Sequence, residues 1–225
     1  MKKLVFTYGV MGSTKTTSML VRKYDFENRE KKTVLLLKPE CDTRDLDDEG
    51  NIIARSRIGA SSKCTAFSEN DNLIKMFLDE DAKNKIDILM VDECQFITNA
   101  QAKQLRKLTE IVPVYAYGLL TNFRQEFFKS SEYLFAVADE KIELFTPCKC
   151  GEKATVNTRR INGFVTTEGE EVVIEGKDNI IYESMCYSCL NNELIKTKIN
   201  KNQKVYSLKN NLKEFSQSNF DDENF

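Results

Sequence analysis

Short apolar runs alternate, over the first 140 or so residues, with segments whose apolar positions recur every three and four residues. Lys3 to Thr7 carries Leu4-Val5-Phe6, Thr33 to Lys38 carries Val34-Leu35-Leu36-Leu37, and Ile86 to Val91 carries Ile88-Leu89-Met90-Val91. Runs with apolar side chains at successive positions read as strands covered on both faces. Lys63 to Phe67 and Val112 to Tyr117 read as two further strands. Between them, Thr16 to about Arg29 reads as the first helix, and Leu73, Ile74 and Phe77 share one face of a second. Thr98 and Gln101 have capping-box spacing, followed by Leu105, Leu108 and either Ile111 or Val112 at helical spacing. A further helix is expected over roughly Ser130 to Ala138. Strands alternating with helices predict an α/β fold, a parallel sheet with right-handed crossovers. Pro39 to Ser62 is polar and charged and reads as a long loop.

The texture changes near Phe145. Thr146-Pro-Cys-Lys-Cys-Gly151 opens a region of short β-like pieces, with Asn162-Gly163 as a hairpin turn and Glu170 to Glu175 as a strand candidate. The expected division is a main unit over 1–145, a small β domain over 146–195 and an extension over 196–225. The polar stretch from about 208 onward, despite Phe215, Phe220 and Phe225, reads as a partly disordered tail.

Composition narrows the chemistry. Among 225 residues, apolar and charged content of 41% and 30% are those of an ordinary globular chain. A formal net charge of −2 gives no electrostatic case for a nucleic-acid partner. No apolar span reaches membrane-helix length and no signal-peptide core opens the chain, so a cytoplasmic location without membrane attachment is expected. Seven cysteines then point to reduced thiols or metal ligation. There is no histidine, which excludes imidazole acid–base catalysis, Ser-His-Asp and Cys-His nucleophile systems, and imidazole metal ligands.

Three constellations carry chemistry. Gly9-Val10-Met11-Gly12-Ser13-Thr14-Lys15-Thr16 follows the first strand and opens the first helix, the layout of a phosphate-binding loop. Backbone N–H groups there would face an anion, Lys15 would reach the β/γ-phosphates, and Thr16 would offer its hydroxyl to Mg²⁺. The second glycine of the usual pattern is replaced by Thr14, a β-branched residue expected to strain the loop. Second, Ile88 to Val91 delivers Asp92-Glu93 at a strand end, as in a Walker-B strand whose Asp supports Mg²⁺. Alone, each fits a simpler reading: a glycine-bearing turn, or two solvated acids. Third, Cys148-x-Cys150 and Cys186-x-x-Cys189 form two close pairs suited to tetrahedral Zn²⁺. Cys41, Cys64 and Cys94 lack partner spacing and read as small packing residues.

Asp92-Glu-Cys-Gln-Phe96, Tyr117-Gly-Leu-Leu-Thr-Asn-Phe123 with Phe128, and Cys148-x-Cys-Gly-x-Lys-Ala154 together resemble the type II thymidine kinase family. Asp42-Thr-Arg44, Arg57-Ile-Gly59 and the stretch from Gly169-Glu-Glu to Tyr182 and Cys186 agree, and the likeness runs colinearly from about residue 3 to 192. The tight Cys-x-Cys is similar to one bacterial branch.

The resemblance implies transfer of the γ-phosphoryl of ATP to the 5′-hydroxyl of thymidine or deoxyuridine, in deoxynucleotide salvage. It places Gly9 to Thr16, Arg44, Asp92 and Gln95 at ATP, and Thr16 and Asp92 at Mg²⁺. Glu93 becomes the base that takes the hydroxyl proton. Phe96, Phe123, Phe128 and Tyr182 would hold the nucleoside, with Val173, Ile174 and Gly176 in a lasso loop closing over the base. Each phenylalanine alone also fits a core position. Zn²⁺ on Cys148, Cys150, Cys186 and Cys189 would be structural, and a homodimer or homotetramer is implied. Leu120 and Asn122 depart from the family's Arg and Asp, Gln125 stands where glycine is common, and Lys177-Asp-Asn-Ile lengthens the lasso. An alternative reading is a nucleotide-binding member with weak or lost turnover because of Thr14. Another is a P-loop ATPase whose zinc module binds nucleic acid.

Overall fold

The computed structural model describes residues 2–169 and 179–199. The strand expected over 170–175, the lasso residues Val173, Ile174 and Gly176, and the tail from 200 lie outside the described residues. Six strands form one sheet: β1 (Leu4–Tyr8), β2 (Val34–Pro39), β5 (Thr65–Phe67), β6 (Ile88–Val91), β7 (Val114–Gly118) and β8 (Glu140–Glu143). Their order is β5-β2-β6-β7-β1-β8, and every neighbouring pair is parallel.

The consecutive apolar positions are explained by burial on both faces. Leu35, Leu37, Leu89 and Val91 point to one side, where they pack with Phe77 of α2 (Leu73–Lys83), Leu105 and Leu108 of α3 (Asn99–Leu108), and Leu134 of α4 (Lys129–Val137). Leu36, Ile88 and Met90 point to the other, against Met19 and Leu20 of α1 (Lys15–Tyr24). The capping box forms as read: Gln101 N donates to Thr98 Oγ1 at 3.1 Å, and Thr98 N donates to Gln101 Oε1 at 3.0 Å. The same buried glutamine amide donates to the carbonyls of Ser68 and Asp71, tying α3 to the connection after β5.

Three elements differ from expectation. α1 ends at Tyr24, and Asp25–Arg29 continues as a wider turn in which Glu30 N donates to Asp25 O. The extra width brings Phe26 inward beneath Tyr115, ring centroids 5.1 Å apart. The polar 39–62 stretch contains β3 (Ile53–Arg55) and the start of β4 (Ser61–Lys63), which pair as a hairpin, so Lys63 belongs to β4 and the strand expected over Lys63 to Phe67 begins at Thr65. β8 is exposed and charged, so its sequence carries no apolar pattern; it is held by backbone pairing to β1.

A second, antiparallel sheet has the order β10-β9-β11, from β9 (Val156–Ile161), β10 (Phe164–Thr166) and β11 (Ile180–Met185). Asn162 and Gly163 both have positive φ, 50° and 84°, as the expected two-residue hairpin turn requires. A helix over 187–199, absent from the sequence reading, follows. Among the described residues, no helix is long and apolar enough to cross a membrane.

The open choice at the end of α3 resolves in favour of Val112, which is 2% exposed, whereas Ile111 is 56% exposed. Leu105→Ala is therefore expected to lower unfolding free energy by about 3 kcal/mol, and Ile111→Ala by no more than about 0.5 kcal/mol. Urea unfolding of the two variants measures the difference.

Candidate active site

The register of the large sheet sets the site. Phe6 and Val91 both stand level with Ala116 of β7, so the carboxyl ends of β1 and β6 open on the same edge. Ligands in open α/β sheets gather at that edge. From β1 the chain turns tightly into α1, and a side chain on Gly9 would meet Ser13 Oγ at 2.5 Å and the Leu144 carbonyl at 3.0 Å. Thr14 closes the turn at φ 59°, ψ 24°, left-handed backbone that is costly for a β-branched residue. Lys15 Nζ donates to Val10 O at 3.0 Å, Gly9 O at 3.3 Å and Ser13 Oγ at 3.2 Å. Burial lowers the lysine's pKa, while Glu93 and Asp92 oppose that shift.

Opposite the loop, Asp92 is 2% exposed. Its Oδ2 accepts from Thr16 Oγ1 at 3.4 Å and its Oδ1 from Glu93 N at 3.0 Å. Burial first, and the adjacent Glu93 second, push its carboxyl up to about 7. Thus a hydroxyl and a buried carboxylate beside a second carboxylate converge, a donor set that suits a divalent cation. Glu93 itself is left-handed, at φ 49° and ψ 42°. Non-glycine residues persist in such backbone where surrounding structure fixes them, and they concentrate at functional sites.

Glu93 is held from both sides. Arg44 NH2 donates to Oε1 at 2.6 Å, and Gln95 Nε2 donates to Oε2 at 2.5 Å. Gln95 Oε1 in turn accepts from Leu119 N at 3.0 Å. This packing needs Gly118, where a side chain would meet Cys94 Sγ at 2.6 Å and Gln95 Oε1 at 2.7 Å. Arg44 forks onto Asp42 through Nε at 2.5 Å and NH2 at 2.8 Å. Asp42 also pairs with Lys38 at 3.0 Å, both side chains being 2% exposed, and Lys38 donates to Ile53 O at 2.9 Å. Burial alone would raise the Asp42 carboxyl, but Arg44 and Lys38 hold it below the usual range. A continuous chain of polar contacts thus runs from the β3–β4 hairpin to the loop after β7.

A cavity of about 430 Å³ extends from this chain to a wall of aromatic rings. Phe96 and Phe128 meet edge to face with centroids 6.3 Å apart, and Phe123 meets Tyr182 of β11 at 6.4 Å. Met11 to Thr16, Arg44, Asp92, Glu93, Gln95, Phe96, Phe123, Phe128 and Tyr182 all line this one cavity. Gly9 and Val10 stand outside its lining; Val10 instead packs against the apolar cluster around Cys148 and Cys186. Asn122 keeps a bracing role, its Oδ1 accepting from the N–H groups of Arg124 at 2.8 Å and Glu126 at 3.1 Å. Gln125, where glycine is common, takes φ 63°.

Two residues of β9 were missed in the sequence: Asn157, which lines the cavity, and Arg159, which backs the Phe123 ring of its wall. Asn157 Oδ1 accepts from Met11 N at 2.7 Å, and its Nδ2 donates to Thr121 O at 2.7 Å, bridging the loop after β1 and the loop after β7. Arg159 is 1% exposed, with its guanidinium carbon 3.8 Å from the Phe123 ring centroid. Polar residues two apart in a strand share a face, which was the available signal.

The four expected cysteines come together, every pair of Sγ atoms within 4.8 Å, with Cys150 and Cys186 at 3.6 Å. Ligands about 2.3 Å from a tetrahedral Zn²⁺ stand about 3.8 Å apart, so the cluster is consistent with zinc. Cys41 is exposed, Cys64 half-buried and Cys94 buried, and none of them joins that cluster.

A sequence model of the family described as "Thymidine kinase" matches residues 2–190. A protein named thymidine kinase from Shewanella oneidensis is 40% identical over 190 residues, 83% of this chain and 95% of that protein. One from Legionella pneumophila (strain Lens) is 42% identical over 185 residues, 80% of this chain and 86% of that protein. One from Rhodopirellula baltica is 39% identical over 189 residues, 83% and 86% of the two chains. With its six-stranded parallel sheet, its cysteine cluster and this extent of shared sequence, the chain belongs to the thymidine kinase family.

Proposed function

We propose that the protein transfers the γ-phosphoryl of ATP to the 5′-hydroxyl of thymidine or deoxyuridine. The observation that carries this reading is the single cavity with Lys15, Thr16, Asp92 and Glu93 at one end and Phe96, Phe123 and Phe128 at the other. Phosphoryl transfer needs in-line positioning and charge neutralisation more than covalent help, and this chain offers groups for both. The loop from Gly9 to Thr16 cradles the triphosphate, with Lys15 beside it. Thr16 and Asp92 are the residues that would hold Mg²⁺, which when bound neutralises charge on the phosphates. Glu93, fixed by Arg44 and Gln95, accepts the proton of the 5′-hydroxyl. Phe96, Phe123 and Phe128 present flat faces to a pyrimidine, with Tyr182 behind Phe123. Arg44 and Gln95 border the phosphate end, and Val173, Ile174 and Gly176 belong to the segment assigned to close over the base.

The same reading divides the chain at about residue 145 into a nucleotide-binding unit and a zinc-stabilised unit over 146–195, with an extension after that. Zn²⁺ on Cys148, Cys150, Cys186 and Cys189 is structural, for all four positions are filled by protein thiols. Exposed apolar side chains on α1 (Val21, Tyr24), in β8 (Ile142) and just after it (Phe145) favour self-association into a dimer or tetramer. Salvage of a nucleoside places the enzyme in the cytoplasm. The alternative of a nucleotide-binding member with lost turnover draws no support from the relatives, and Lys15, Thr16, Asp92 and Glu93 all stand in place.

Incubating a nucleoside panel with ATP and Mg²⁺ is expected to yield thymidine or deoxyuridine monophosphate, and Glu93→Gln to reduce kcat by at least about 100-fold. ADP formed without any nucleoside monophosphate would contradict the proposal. Thr14→Gly removes the left-handed strain, worth about 1 kcal/mol, and should raise kcat/KM for ATP. An unchanged or lower kcat/KM refutes strain as the cause of any loss. Metal analysis of the purified protein should find one zinc per chain. Cys186→Ala should lose that zinc and lower Tm; retention of the metal would show that it sits elsewhere.

A further inference from the structure

Five cationic side chains line the cavity: Lys15, Lys38, Arg44, Arg55 and Arg57. Four are engaged. Lys38 pairs with buried Asp42, and Arg44 meets two carboxylates, those of Asp42 and Glu93. Lys15 is bonded within its own loop, and Arg55 donates to Leu46 O. Arg57 stands apart: among the described residues it makes no hydrogen bond, ion pair or ring contact. It sits at the tip of the β3–β4 hairpin, and its NH1 lies 3.9 Å from where a side chain on Gly12 would begin. An arginine fork is therefore presented at the lip of the phosphate loop with no carboxylate among the described residues to neutralise it.

The hairpin that carries Arg57 is itself fixed. Ser56 N and Oγ both reach Ala60 O, at 2.8 and 3.1 Å, and Gly59 N reaches Ser56 O at 3.0 Å. At the hairpin's base, Ile53 O accepts from Lys38, the start of the polar chain that ends on Glu93. One framework thus positions both Arg57 and the carboxylate. We infer that Arg57 is a catalytic residue of the proposed kinase reaction, binding the transferred phosphoryl group most strongly in the transition state. Arg44, its charge already met by Asp42 and Glu93, acts as a positioning residue for Glu93.

In that reaction the 5′-oxygen of the nucleoside forms a bond to the γ-phosphorus. The bond from γ-phosphorus to the β–γ bridging oxygen breaks, its electron pair leaving with ADP, and the hydroxyl proton passes to the Glu93 carboxylate. Charge spreads over the three equatorial oxygens, where a planar, always-charged donor fork fits better than an ammonium.

The inference rests on the kinase reading, and steady-state kinetics of wild type, Arg57→Ala and Arg57→Lys separate the two. Arg57→Ala is expected to lose about 100-fold or more in kcat, with KM for ATP within about threefold of wild type and Tm unchanged. Arg57→Lys should recover part of the loss. MgADP with aluminium fluoride and thymidine, a mimic of the planar phosphoryl, should bind Arg57→Ala at least about 100-fold more weakly than wild type, while a non-hydrolysable ATP analogue binds both alike. A kcat for Arg57→Ala within about threefold of wild type overturns the inference while leaving the kinase reading intact. So does a rise confined to KM, the mark of uniform binding. A wild-type protein that makes no nucleoside monophosphate overturns both.

Discussion

Thr16 and Asp92 lie 76 positions apart in the chain, yet their oxygens stand 3.4 Å from each other. That contact is a consequence of parallel pairing. Only β7 separates β1 from β6, and the level alignment of Phe6, Ala116 and Val91 brings the turn after one strand beside the acid after the other. An antiparallel β6 would deliver Asp92-Glu93 to the opposite edge, far from the turn between β1 and α1. The apolar side chains on both faces of β2 and β6 serve this geometry as much as stability, since they oblige helices to cover the sheet and return each strand in the same direction.

Around that contact the molecule holds groups in conformations they would not adopt alone. Thr14 and Glu93 both lie in the left-handed region, one on each side of the gap between loop and acid. Asp92 is buried beside another carboxylate, which raises its pKa to about 7. The chain from Ile53 O through Lys38, Asp42, Arg44, Glu93 and Gln95 to Leu119 N supports this arrangement with charge-assisted hydrogen bonds, stronger than neutral ones. Asn157 extends the support to the second sheet, so that the cysteine-bearing unit bears directly on the loop after β1. Cooperation between the two sheets is therefore local and geometric, made by buried Asn157, by Val10 against the cysteine cluster and by Phe123 against Tyr182.

Much of this was legible in the chain. Consecutive apolar positions identified β2 and β6, the capping box identified the start of α3, and Asn162-Gly163 identified the turn of the second sheet. β8 was invisible because an exposed strand of Glu, Lys, Ile and Glu owes its place to backbone pairing alone. The hairpin inside 39–62 was hidden by its charge and brevity. Residues singled out by motif spacing line one cavity, whereas Asn157 and Arg159 are recognised only through contacts between residues distant in the chain. Single-chain periodicity records which face a side chain takes, not which partner it meets.

The most direct measurement is a crystal structure of the protein with Mg²⁺, a non-hydrolysable ATP analogue and thymidine. Thr16 Oγ1 is expected about 2.1 Å from the metal, with Asp92 on the same metal directly or through one water. The 5′-hydroxyl is expected within hydrogen-bond reach of Glu93, and the base between the phenylalanine rings. A metal bound away from Thr16 and Asp92, or a nucleotide excluded from the loop by the Thr14 side chain, would contradict that arrangement.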